Sequence, residues 1–78
     1  MDGADEDRIS LDPEVLLGKP VVRGTRIPVE LVIGMLADGC GVAEILESYP
    51  HLAPEDVAAC LRYAQKLVQA ERVWPTAA

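Results

Sequence analysis

The sequence predicts a mainly α fold, a three-helix, helix-turn-helix-like (winged-helix-like) bundle with short N-terminal β-strands paired across a dimer. Three observations carry this expectation. Apolar residues recur at helical spacing in three stretches beyond Pro28, Gly and Pro punctuate the joints, and the segment before Pro28 shows only brief extended runs. The 78 residues suffice for one domain. At this size only roughly 60% of the unfolded surface becomes buried, so stability is marginal.

Taken in order, residues 1–7 are small and acidic, with Asp2, Asp5, Glu6 and Asp7, and read as a disordered tail. The domain itself spans 8–72. Arg8 to Leu11 alternates polar and apolar residues, as a short strand does. Asp12-Pro13 makes a turn, and Glu14 to Leu17 is either a helical turn or a second extended piece. Val21-Val22 and Arg26-Ile27 flank Arg23-Gly24-Thr25 as a small hairpin. Strands this short are unstable alone, which is the reason to expect pairing across a dimer.

The first helix opens at Pro28, repeats Val29, Val32, Ile33 and Leu36 at i, i+3, i+4, i+7, and stops at Gly39. Leu31 and Met35 add a second apolar edge. Gly34 inside it costs about 1 kcal/mol relative to Ala, which points to close approach by another backbone. Ile9, Leu11, Leu31, Gly34 and Met35 are therefore the expected dimer interface. The second helix starts after Gly41 and runs from Val42 to Ser48, ended by Pro50. Pro54 opens the third, with Glu55 and Asp56 at its positive dipole end. Val57, Cys60, Leu61, Ala64, Leu67 and Val68 trace its apolar stripe to about Arg72, and residues 73–78 form a flexible tail.

Composition narrows the function. Half the residues are apolar, with no Phe, one Trp and two Tyr, so the core is aliphatic and rich for so short a chain. A homodimer or a bound partner supplies the further burial. No apolar run approaches the roughly 18 residues of a membrane span, and the acidic start differs from a signal peptide. A cytoplasmic protein without membrane contact is expected. Cys40, Cys60 and the lone His51 have neither zinc nor disulfide spacing, so no metal and no cofactor are expected. No motif places a nucleophile beside His51, so no enzyme is expected either.

Against a net charge of −6, one segment turns positive. Lys19, Arg23 and Arg26 are three of seven cationic residues, with no acid from Lys19 to Arg26. Such a turn serves either the fold, its cations pairing with Asp12, Glu14 or Glu30, or an anion or partner. The helix-turn-helix pattern raises DNA as a partner, with Lys19, Arg23, Arg26, Arg62 and Lys66 on phosphates. Glu55 and Asp56 at the start of the third helix oppose contact with base edges there.

Asp12-Pro13, Gly18-Lys19-Pro20-Val21-Val22-Arg23-Gly24-Thr25-Arg26-Ile27-Pro28-Val29, Gly39, Ile45, Tyr49-Pro50-His51-Leu52 and Glu55-Asp56-Val57 together closely resemble family 433 of the domains of unknown function, over about Ile9 to Ala64. The resemblance implies a helix-turn-helix-like domain similar to VapB-type antitoxins of type II toxin–antitoxin pairs, often encoded beside PIN-like ribonuclease toxins. Ala53 stands where the family usually has Thr or Ser, and Gly41 where it usually has Ser. Each weakens a helix start by about 0.5–1 kcal/mol. Two functions follow: an antitoxin-like, non-enzymatic protein that occupies a cognate toxin, with Asp2 to Asp7, Tyr63 or Trp74 as partner contacts, or a dimeric DNA-binding regulator. A structural dimer is the third reading.

Overall fold

The computed structural model describes residues 8–70. The expected tails, with the expected partner contacts at Asp2 to Asp7 and at Trp74, lie outside the described residues. Strand β1 (Ile9–Ser10) pairs antiparallel with β2 (Val21–Val22), Ile9 opposite Val22 and Ser10 opposite Val21. Three helices follow, α1 (Val29–Ala37), α2 (Val42–Ser48) and α3 (Pro54–Ala70). The strands thus find their partners inside one chain, where pairing across a dimer was expected. The hairpin shrinks to a single bridge, Val21 to Pro28, because Arg26-Ile27 returns alongside β2 without joining it as a strand.

The starts of α2 and α3 rest on acids rather than on hydroxyl caps, and α1 starts without a side-chain cap. Pro28 stands just before α1 with extended ψ of 147°, one position earlier than its expected place inside the helix. At α2, Glu44 reaches back to accept the backbone N–H of Gly41 at 2.8 Å. At α3, Asp56 does the same for Ala53 at 2.8 Å. Both are the reciprocal half of a capping box. The two positions that lack a Ser or Thr therefore keep one of their orphan donors satisfied. Gly39 ends α1 at φ +98°, the left-handed stop that its position promised.

Ile9, Val22, Val29, Val32, Ile45, Leu52, Val57, Ala59 and Cys60 form the core, with Ile33, Met35, Leu36, Leu46 and Tyr63 packed on it. Asp56 is buried beside it and meets Arg8 at 2.9 Å, tying the sheet to the first turn of α3. Only the first half of α3 is covered. Leu61, Leu67 and Val68 are 48%, 51% and 68% exposed, so the apolar stripe outruns the core. Among the described residues no backbone of another element approaches Gly34, since a Cβ there would meet nothing within 4 Å. No helix among the described residues is long and apolar enough to cross a membrane.

Candidate functional site

The segment between the strands folds as two tight turns facing each other. In the first, Asp12 accepts the backbone N–H of Glu14 through its side chain at 2.9 Å and that of Val15 through its carbonyl at 3.0 Å. The chain then winds left-handed through Leu16 (φ 50°), Leu17 (φ 58°) and Gly18 (φ 86°). For residues with a Cβ this region costs about 1–2 kcal/mol each. The turn is closed by Gly18 N–H on the Val15 carbonyl at 3.0 Å and Lys19 N–H on Leu16 at 3.2 Å. Its outcome is a leucine held in water: Leu17 is 95% exposed. Leu11 is also exposed, and along the chain the exposed Asp12 and Glu14 stand between the two.

The second turn is Arg23-Gly24-Thr25. The Thr25 hydroxyl donates to the Val22 carbonyl at 2.7 Å and accepts from the Ile27 N–H at 2.9 Å. Gly24 takes φ +83°, which the turn requires. Between the turns lies an open groove of about 440 Å³, with Asp12 and Val15 on one side, Gly24, Thr25 and Arg26 on the other, and the Ser10–Val21 pair beneath.

The three cations of this segment have three different settings. Lys19 meets Glu30 at 2.8 Å, both side chains exposed, a pair of little energetic weight in water. Arg23 donates from Nη2 to the Ile9 carbonyl at 3.2 Å and so serves the fold. Arg26 is exposed and lines the groove. Arg62 and Lys66 are exposed on the second half of α3, whereas α3 meets β1 through Asp56 in its first turn. Tyr63 is half-buried against the core. Of the expected interface residues, Ile9 belongs to the chain's own core, Met35 packs on that core, Gly34 is half-buried, and Leu11 and Leu31 are exposed.

Chemistry elsewhere is quiet. Burial, and secondarily the charge of Asp56, pushes the Cys60 thiol up to about 11, so it is un-ionised at neutral pH. Cys40 is half-buried, and His51 is exposed in the turn that lodges Leu52 in the core. Among the described residues no three His, Cys, Asp or Glu side chains converge on a metal-sized site. Two contributors escaped the sequence reading. Asp56 reads as a dipole partner and is also an ion-pair and capping residue; Leu17 reads as an ordinary apolar position, and only the Gly after it hints at a left-handed turn.

The family profile of DUF433, protein of unknown function, matches residues 9–64, from β1 into the second half of α3. This chain belongs to DUF433. The match includes both turns and the groove. Uncharacterized protein y4eO of Sinorhizobium fredii (strain NBRC 101917 / NGR234) is 40% identical over 57 residues, which are 73% of this chain and 26% of that protein. The chain thus spans about a quarter of that relative's length. The crystal structure of a DUF433 member protein from Anabaena variabilis ATCC 29413 superposes with a TM-score of 0.77 at 29% identity, covering 87% of this chain and 67% of that one.

Proposed function

We propose that this DUF433 domain is a non-enzymatic protein-binding module, the antitoxin-like component of a type II toxin–antitoxin pair, and that it occupies and neutralises a PIN-like ribonuclease. One observation carries the reading. A strained left-handed turn holds Leu17 in water, and the five residues before it in the chain include exposed Asp12 and Glu14, preceded by exposed Leu11. Strain of this kind persists where the surroundings enforce it, and it concentrates at binding sites. Apolar anchors beside carboxylates suit the basic, RNA-handling surface of a ribonuclease, whose cations would meet Asp12 and Glu14 while Leu17 fills a pocket. Arg26, across the groove, adds a contact of opposite sign.

The test asks whether a PIN-like ribonuclease is encoded beside its gene and pairs the domain with it; the absence of one would count against the reading. A stoichiometric complex that silences RNA cleavage is expected, and Leu17→Ser should weaken it at least tenfold while the domain stays folded. Full ribonuclease activity in excess domain would refute the reading.

A second reading, the dimeric DNA-binding regulator, draws on Arg62 and Lys66. They lie one turn apart on α3, with no Asp or Glu from Val57 to Ala70. Against it stand Glu44 and Glu47, exposed on α2, and Glu55 at the start of α3, all of which repel phosphate. If DNA is the ligand, Arg62→Ala with Lys66→Ala lowers affinity across sequences and flattens its salt dependence.

A further inference from the structure

The groove between the two turns is lined by opposite charges that no ion pair joins. On one wall the Glu14 N–H occupies Oδ1 of Asp12 and leaves Oδ2 without a partner among the described residues. On the other wall Arg26 is exposed and makes no hydrogen bond or ion pair to any described residue, and the backbone N–H groups of Gly24 and Arg26 have no acceptor among them either. Arg8 and Lys19, by contrast, each meet a carboxylate, at 2.9 and 2.8 Å. The Ser10 hydroxyl beneath has no bond to a described residue, and half-buried Val15 adds an apolar contact on the Asp12 side.

We propose that this groove binds a small zwitterion, a free α-amino acid with an aliphatic side chain. Its ammonium meets Oδ2 of Asp12, its carboxylate meets the Arg26 guanidinium, whose planar fork matches a carboxylate, and its side chain lies on Val15. A ligand of single charge is the poorer fit. A simple anion at Arg26 would face the Asp12 carboxylate across the groove, and a simple cation at Asp12 would face the guanidinium, so only a ligand carrying both charges satisfies both walls. At about 440 Å³ the groove has the volume of a small-molecule site, roughly 300–1,000 Å³. The Arg26 side chain, bonded to no described residue, adjusts to the ligand's length. Because the groove is open, both ion pairs stay in contact with water and dissociation falls in the millimolar range. The site stands apart from the antitoxin reading, and its test involves no ribonuclease.

Amide resonances of the isotopically labelled full chain, followed at neutral pH as L-leucine is added to about 50 mM, test it, since a millimolar site saturates over that range. The amides of Val15, Gly24 and Arg26 are expected to shift together and level off. Leucinamide, which lacks the carboxylate, and isocaproate, which lacks the ammonium, should each bind about fivefold more weakly or worse, as should leucine to Asp12→Asn and to Arg26→Gln. Asn keeps an oxygen for the Glu14 N–H, and Arg26 is bonded to no described residue, so both variants keep the fold, which their spectra check. The proposal is overturned if no amide in the groove shifts by about 50 mM leucine, if either half-ligand binds as tightly as leucine, or if the two folded variants bind leucine like the wild type.

Discussion

Replacing Asp56 by Ala removes two bonds from one buried carboxylate. Its Oδ1 accepts Arg8 Nη1 at 2.9 Å and its Oδ2 accepts the Ala53 N–H at 2.8 Å. The capping bond is worth about 1 kcal/mol, because the Ala53 donor is left without its partner. The ion pair lies between surface and interior: the Asp56 side chain is 11% exposed and that of Arg8 38%, so its share is discounted for solvent to about 1–2 kcal/mol. Asp56→Ala is expected to destabilise by about 2–3 kcal/mol, which for a domain of this size lowers Tm by about 10–20 °C. Urea unfolding of the wild type, Asp56→Ala, Arg8→Ala and the double variant gives the terms separately. Arg8→Ala should cost about 1–2 kcal/mol, and the cycle should show coupling of about 1 kcal/mol. If Asp56→Ala unfolds within 0.5 kcal/mol of wild type, a threshold below the usual worth of a single cap, the link between sheet and α3 carries no stability and the reasoning fails.

Stability should also fall at alkaline pH through Cys60. Its ordinary value is 9.0 and its folded value about 11, so between these the unfolded chain releases a proton that the folded chain keeps. The contribution is complete below pH 9 and is lost as pH rises to 11, by about 2–3 kcal/mol. Chemical denaturation across that range should show the decline, and Cys60→Ala should remove it. Leu17→Asn should raise stability by about 0.5–1 kcal/mol, since Asn tolerates the left-handed region and almost no burial is lost. The same substitution should weaken partner binding; a drop in Tm instead would show that the turn is not strained.

What could be read from the sequence follows the range of the interactions concerned. The limits of α2 are local, a Gly cap and a Pro two residues past its end, and Val42–Ser48 forms as expected. The start of α3 and the stop at Gly39 are equally local. The pairing of β1 with β2 is not, because two-residue strands separated by ten residues carry no period that names their partner. Nor does the spacing of Arg8 and Asp56, 48 residues apart, reveal their bond. The stripe of α3 was legible as a pattern, but how far it is buried depends on how far the other elements reach. Of the cationic turn, sequence gave the charges; the separate settings of Lys19, Arg23 and Arg26 come from the backbone path, which turns one guanidinium back onto β1 and leaves another beside the groove.

The bond from Arg23 to Ile9 has a consequence for how the protein survives at high concentration. Arg23 N–H bonds the Arg8 carbonyl at 2.7 Å, which makes Ile9 a pair whose own carbonyl points away from β2, toward the open side of β1. An unfilled acceptor there invites a foreign strand to extend the sheet, the usual beginning of edge-to-edge aggregation. The guanidinium occupies that acceptor at 3.2 Å and sets a hydrated cation at the margin. A chain that is half apolar thereby keeps its small sheet at two strands.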